Sequence, residues 1–305
     1  MERKATIAKL DQKMAQVIME TILDRGPGVK WDDIEGLKDV KQALMENIIY
    51  PQLRPELFTG LRSPTKGILL YGPPGNGKTL LAKAVATECR STFFSISASA
   101  LVSKYMGESE KLMKTLFTLA AIQSPSIIFI DEVDSMLTKR NAEENEATRR
   151  LKTEFLIQLD GVGSSNTRIL VIAATNRPYD LDEAALRRLT KRIYIGLPDA
   201  EARAGLMRKL MKQVDSKLST YEFDQVVQWT EGYSSADLNS LCKEAAMEPI
   251  REIPPSKIME LRSPSSVRKV QVGDFQKVLQ FIRPSVSKGT IQEYHNWHKS
   301  CGGPV

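Results

Sequence analysis

Long hydrophobic runs are missing from this 305-residue sequence. The longest apolar stretches, 127–130 and 169–174, fall far short of the roughly 18 consecutive residues that a membrane-spanning helix requires, so no bilayer span is expected. Cysteine is scarce: Cys89, Cys242 and Cys301 are odd in number, far apart and free of C-x-x-C spacing. That excludes a disulfide scaffold and fits reduced thiols in a reducing compartment. The opening MERKATIAKL lacks the continuous apolar core of a secretory signal, and a cytoplasmic chain is expected. No zinc-finger spacing, aromatic RNA-binding motif, internal repeat or low-complexity tract occurs, so nucleic acid is not the expected partner.

What is present is ordinary for a folded protein. Hydrophobic residues make up 42% and charged residues 26%, too apolar for a chain that stays unfolded alone. The length predicts more than one domain. With 43 Lys+Arg against 37 Asp+Glu the formal net charge is +6, which suits an acidic partner without identifying one.

Periodicity divides the chain. Ile7, Leu10, Met14, Val17 and Thr21 recur at helical steps until Gly26-Pro27-Gly28, giving a leading helix and linker over 1–30. Across 31–197, β-prone runs at 68–71, 93–96, 127–130, 169–173 and 193–195 alternate with helical patterns at 80–89, 110–122 and 148–159. Such alternation predicts an α/β domain with a parallel sheet between helices. From 198 to 285 the pattern is helical, as in Leu206, Leu210 and Val214, then Leu238, Leu241 and Ala245. A small helical domain is expected there, its last helix at 275–282 capped by Asp274, followed over 286–305 by a helical tail around 290–299.

The chemistry starts at Gly72-Pro73-Pro74-Gly75-Asn76-Gly77-Lys78-Thr79, which fits G-x-x-x-x-G-K-[ST]. Glycines there let backbone N–H groups curl around phosphate oxygens, Lys78 neutralises the terminal phosphates, and Thr79 holds magnesium. The motif follows an apolar strand and opens a helix, which aims the positive helix end at the phosphates of ATP. A carboxylate at the end of a neighbouring strand is also required, and Ile127-Ile128-Phe129-Ile130-Asp131-Glu132 supplies two. Asp131 is assigned to magnesium and Glu132 to the attacking water. Asn176, where the run at 169–173 gives way to Thr175-Asn176-Arg177-Pro178, is the candidate polar sensor of γ-phosphate and water. Arg187 and Arg188 are candidates to neutralise transition-state charge on a neighbouring subunit's ATP.

These residues, with VKWDDIEGLKDVKQAL, YPQLRPELFTGLRSP, SKYMGESEKL, PSIIFIDEVDSML, RRLKTEFLIQLDGV, ATNRPYDLDEAALRR and EGYSSADLNSLCKEAAMEPIRE, resemble the AAA ATPases of the microtubule-severing and vacuolar-sorting group over nearly the whole chain. The resemblance implies an ATP-promoted ring, a hexamer in its working state, with ATP at subunit boundaries and substrate drawn through a central pore. It implies that Lys104, Tyr105 and Met106 belong to the first pore loop and that 141–150 resembles the second. Severing members act on tubulin, whose tails are rich in glutamate, so a cytoskeleton-associated enzyme acting on microtubules is expected. Related remodellers that disassemble membrane-scission filaments or unfold other proteins share the same core motifs. Upstream microtubule-interacting and trafficking regions are expected in severing members, whereas about thirty residues precede the ATPase core here, leaving a fragment or their loss open.

Two further features are expected to be packing rather than chemistry, and a third is a departure from the family pattern that touches assembly more than chemistry. His295, His298 and Cys301 follow one another at three-residue steps and could face a metal, but no fourth ligand accompanies them. Trp31 and Trp229 are expected to be packing anchors. Leu189 follows the arginine pair where the family pattern predicts an aromatic residue.

Overall fold

Strands form where runs of four to seven mostly apolar residues can be covered on both faces, and period-two alternation then decides which side chain joins which layer. The computed structural model describes residues 12–24, 28–104, 107–139, 145–162, 168–212, 214–258 and 267–302. Its sheet comprises β1 (Leu23–Asp24), β2 (Gly67–Tyr71), β3 (Thr92–Ser97), β4 (Ser126–Asp131), β5 (Ile169–Thr175) and β6 (Lys191–Tyr194), in the order β1-β3-β4-β5-β2-β6. Strands β2 to β6 are parallel, and only β1 runs antiparallel, beside β3. All five expected strands are present. β1 was not anticipated, because two residues carry no periodicity and its pairing is purely tertiary.

Alternation splits the sheet core in two. Leu69, Tyr71, Ile128, Ile130, Val171 and Ala173 face a layer holding Leu116, Phe155 and Tyr294. Ile68, Leu70, Ile127, Phe129 and Ile172 face the opposite layer, with Leu44, Leu81 and Val85. Each such buried Leu, Ile, Val or Phe side chain contributes about 2 kcal/mol of hydrophobic stabilisation. The first layer is carried by helices Ser109–Ile122, Glu146–Gly161 and Lys288–Cys301, the second by Lys38–Leu44 and Lys78–Glu88. Met14 and Ile18, from the leading helix Gln12–Val17 and its π-turn Ile18–Ile22, are buried in the first layer. Ile7, Leu10, Gly26 and Pro27 lie outside the described residues.

A third cluster joins Met207, Val226, Leu238, Leu241 and Phe275 from helices Ala200–Met211, Thr220–Trp229, Ser235–Arg251 and Val272–Leu279. Asp274 does not open the last of these. Gln271 is the N-cap, and Asp274, one turn in, accepts the Gln271 backbone N–H at 2.8 Å and a bidentate hydrogen bond from Arg268. The sequence pattern predicts a cap at Asp274, whereas the Arg268 ion pair and the Gln271 N–H fix the carboxylate at the third helical position. Trp229 is also corrected: it is 38% exposed, whereas Trp31 is half-buried against the second layer.

The helix Lys288–Cys301 returns from the helical cluster to the sheet. Tyr294 is buried in the first layer, Trp297 meets Tyr71 edge-on at 4.6 Å between centroids, and the Tyr71 hydroxyl lies 2.5 Å from His298 Nδ1. His295 packs near Tyr194, and the Cys301 carbonyl accepts from Arg192. These residues thus serve packing at the carboxyl end of β2.

Candidate functional site

The phosphate loop leaves β2 through backbone that only glycine accommodates. Gly72 has φ 141°, and a Cβ there would lie 2.1 Å from the Ile195 carbonyl oxygen. Gly75 at φ 77° and Gly77 at φ 81° are left-handed, the latter directly preceding the helix Lys78–Glu88. Lys78 is 7% exposed, and its ammonium folds back to donate to the Gly72 and Pro73 carbonyls at 2.9 and 2.8 Å. Burial brings its pKa down to about 8, against the charges of Asp131 and Asp134, which favour the protonated form. A buried cation fastened only by neutral carbonyls is poised to take an anionic ligand.

Sheet register brings the acidic pair to the loop. Asp131 ends β4, and its Oδ2 accepts from Thr79 Oγ1 at 3.0 Å while its Oδ1 accepts the Glu132 backbone N–H at 2.9 Å. A hydroxyl and a carboxylate already within hydrogen-bond reach form the hard, oxygen-only donor set that magnesium prefers, so these residues fit that ion. Glu132 has φ 50°, a conformation rarely adopted by a side-chain-bearing residue and found where surrounding structure over-determines it. Its carboxylate stays exposed and accepts from Ser97 Oγ at 3.1 Å and Ser99 Oγ at 2.7 Å. Asn176 follows β5; its side-chain Oδ1 is buried without a partner among the described residues, and its backbone carbonyl accepts from the Tyr294 hydroxyl. An unpaired buried amide oxygen is costly and is the kind of group that a ligand or water satisfies.

Beside the loop lies a cleft of about 770 Å³ lined by Ile34, Gly36, Gly77, Leu80, Leu197 and Leu206. Leu80, on the outer side of the phosphate-loop helix, is 51% exposed into it. Charged Asp32, Asp33, Glu35, Lys38, Asp39 and Glu201 line it too, and the volume and mixed lining suit a polar heterocycle next to a phosphate-binding turn.

The two arginines differ. The helix Glu183–Arg188 is capped by Asp182, whose side chain accepts the Ala184 N–H at 2.8 Å. Arg187 is exposed to solvent and pairs with the equally exposed Glu183 at 3.6 Å. Arg188 is instead engaged: its Nε and Nη2 donate to the two Asp160 oxygens at 2.8 and 2.7 Å. Tyr105, Met106 and 141–144 lie outside the described residues, as does the side chain of Lys104 at the end of helix Ala98–Lys104.

Residues 68–197 match the family model described as "ATPase family associated with various cellular activities (AAA)"; 221–260 match an AAA+ lid domain and 244–302 a Vps4 C-terminal oligomerisation domain. This chain belongs to the AAA ATPase family. It is 52% identical over 294 residues to spastin of Gallus gallus, covering 96% of this chain and 48% of that protein. It is 48% identical over 297 residues to fidgetin-like protein 1 of Homo sapiens, covering 97% and 44% respectively. The chain therefore spans about half the length of these relatives or less. Among solved structures, the FIGL-1 AAA domain matches with TM-score 0.90 at 43% identity, covering 98% of each chain. The same domain with ADP matches with TM-score 0.89 at 43% identity, covering 97% of this chain and 98% of the other. A structure from work on katanin self-assembly matches with TM-score 0.79 at 40% identity, covering 94% and 96%.

Within this AAA chain, sequence reasoning missed several residues around the site. Ser97 and Ser99 hold Glu132 from positions 35 and 33 residues away. Register reveals Ser97, which pairs with Asp131 across β3 and β4, whereas Ser99 reaches Glu132 from the helix Ala98–Lys104. Asp134 accepts from Thr175 Oγ1 at 2.5 Å and so ties the acidic turn to the strand carrying Asn176. Tyr294 is a fourth, reaching the Asn176 carbonyl from a helix 118 residues later. The DEVD run made Asp134 visible as an acid, but nothing local distinguished it from a solvated one.

Proposed function

We propose that this chain is the ATP-driven motor of a microtubule-severing enzyme, with residues 31–197 binding and hydrolysing the nucleotide and 198–285 acting as its lid. The observation that carries the reading is the juxtaposition of a buried, anion-seeking Lys78 with a Thr79–Asp131 pair and an exposed, serine-held Glu132. The phosphate loop Gly72, Pro73, Pro74, Gly75, Asn76 and Gly77 wraps the phosphates, and Lys78 offsets their charge. Thr79 and Asp131 are the residues that would hold magnesium, which when bound neutralises charge on the phosphate oxygens. Glu132 orients a water and accepts its proton as the water oxygen bonds to the γ-phosphorus and the bridging P–O bond breaks, releasing ADP and inorganic phosphate. Asn176 positions the same water from the side. Arg187, exposed to solvent, and Arg188, once released from Asp160, act on the nucleotide of the adjoining subunit in a ring, proposed to be a hexamer.

Likeness to spastin, fidgetin-like protein 1 and a self-assembling katanin supports microtubules as the substrate and oligomerisation as the working state. Lys104, Tyr105 and Met106 are proposed to grip an acidic tubulin tail in the pore, and the net charge of +6 favours such a partner. The setting is cytoplasmic and cytoskeletal; no described helix is long and apolar enough to cross a membrane.

Glu132→Gln tests the core of this reading. The variant is expected to bind ATP, to sediment as an assembled ring when ATP is present, and to lose at least about 100-fold in hydrolysis, the lower bound for a general base. Stabilised microtubules watched by fluorescence microscopy should break with the parent protein and ATP, and stay intact with the variant. Intact filaments with an actively hydrolysing parent would redirect the motor to another polymer, and a fully active Glu132→Gln variant would refute the assignment of the base.

A further inference from the structure

The phosphate loop touches more than the sheet. The helix Ser235–Arg251 points its amino end at the loop, and its first two N–H groups are both taken by loop oxygens. Ser235 N–H donates to Asn76 Oδ1 at 3.2 Å, and Ala236 N–H donates to the Gly75 carbonyl at 3.0 Å. The surfaces are in close contact there: a Cβ on Gly75 would lie 2.8 Å from the Ala236 Cβ and 3.1 Å from Ser234 Oγ. Asn76 is 5% exposed, and its amide nitrogen approaches the Pro73 carbonyl of its own loop at 3.4 Å. The amide therefore bridges the phosphate loop and the lid across 159 residues of sequence. The lid end is itself braced, because Asp237 accepts from the Ser234 N–H at 2.9 Å and from the Ser285 hydroxyl at 2.9 Å.

We infer that Asn76 is a positioning residue that latches the lid helix to the phosphate loop, so that movement of the loop on phosphate binding or release is passed directly to the small helical domain. The inference rests on nucleotide binding at this loop, as proposed above, and adds a specific route by which occupancy reaches the lid. Helix amino termini leave N–H groups without intrahelical partners, so these two donors need an external acceptor, and the loop supplies it. If the loop shifts to wrap a phosphate, the Asn76 carbonyl must carry Ser235 with it or release it.

The test uses a property of proline. Ser235 is the first residue of its helix, where proline is well tolerated, and the preceding Ser234, at φ −73° and ψ 164°, has the extended backbone that a following proline requires. Ser235→Pro therefore removes the one N–H that meets Asn76 while leaving the helix able to form; Ser235→Ala keeps that N–H. Release of a fluorescent ADP analogue, chased with excess ATP in a stopped-flow instrument, is the readout. A rate constant does not depend on the fraction of protein that is folded, so partial unfolding would not imitate the effect. Losing a hydrogen bond of ordinary net strength corresponds to about five-fold faster release. Asn76→Ala and Ser235→Pro should each give about that factor, the double variant about the same factor and not its square, and Ser235→Ala the parental rate. A double variant that multiplies the two effects, or a Ser235→Pro variant indistinguishable from Ser235→Ala, would overturn the latch while leaving nucleotide binding intact. Failure of the parent protein to bind the analogue would remove both readings. Should the proline variant not fold, parental release from Asn76→Ala would by itself overturn the proposal.

Discussion

Replacing Lys152 with methionine should destabilise the large domain far more than loss of a surface lysine. The lysine side chain is 3% exposed and that of Asp182 14%, with 3.0 Å between Nζ and Oδ2. Lys152 also donates to the Thr138 carbonyl, just beyond the acidic turn. Removing one partner of a buried pair costs about 3 to 5 kcal/mol; the residual solvent at Asp182 and the further interactions of both residues place the loss at the low end, about 3 kcal/mol. At this chain length about 2 °C of melting temperature goes with each kcal/mol, so a drop of about 6 °C is expected by differential scanning fluorimetry. Asp182→Asn should lose a comparable amount, because asparagine caps a helix as well as aspartate and the cap to Ala184 survives. The two losses should not add: once either member of the contact is gone, replacing the other costs less, so the double variant should melt above the sum of the singles, with a coupling of more than about 1 kcal/mol. Additivity within about 0.5 kcal/mol would refute the pair as a stabilising contact. A functional consequence follows, since Asp182 begins the helix that carries Arg187, and a loosened helix should reduce ATP turnover in the assembled ring.

The remaining predictions concern the nucleotide site and the arginines. In the free protein Lys78 loses its proton near pH 8, below the ordinary lysine value of 10.5, because burial opposes the charge. Bound phosphates would raise that value again, so ATP affinity should be highest below about pH 8 and fall as pH rises above it. Titration calorimetry near pH 8 in buffers of different ionisation enthalpy should register net proton uptake on binding, and proton release would contradict it. The same depressed value implies that Lys78 penalises the nucleotide-free fold below about pH 8, and that this penalty fades as pH rises towards 10.5, where both folded and unfolded chains carry neutral lysine. Asp160→Asn should cost under about 1 kcal/mol, because the pair is solvent-screened, yet free Arg188 for a neighbouring subunit. Its ATPase activity should rise at lower protein concentration than the parent's, whereas a uniform loss of activity at every concentration would make Arg188 purely structural.

How far the sequence was readable depends on whether a feature is local. The five parallel strands are legible because each is a short apolar run that must be covered on both faces, and the phosphate loop because eight consecutive residues carry the whole device. β1 is not legible, since Leu23 and Asp24 acquire strand character only by pairing with Phe94 and Phe93. Ser97 reads as an ordinary strand-end hydroxyl until register sets β3 against β4 and places it on Glu132, which Ser99 reaches from the helix Ala98–Lys104 that follows. The arginine pair reads as two equivalent basic residues, because the carboxylate that separates them, Asp160, lies 28 positions away at the end of another helix.

Lys152 marks where the sequence could have said more. Leu151, Phe155 and Leu159 form the buried stripe of helix Glu146–Gly161, and Lys152 lies three residues before Phe155 and seven before Leu159, on the same face. A charge on an apolar stripe is affordable only with a partner, so that position alone predicts a carboxylate from another element. The choice among the acids then narrows by physical need: the partner must be held rigidly and near the sheet, which favours a helix-capping aspartate over an exposed glutamate. Asp182 before Glu183-Ala184-Ala185 has that cap pattern in the sequence. The buried cation and the arginine helix are thus one structural unit: the aspartate that pairs with Lys152 also caps the helix that carries Arg187 and Arg188.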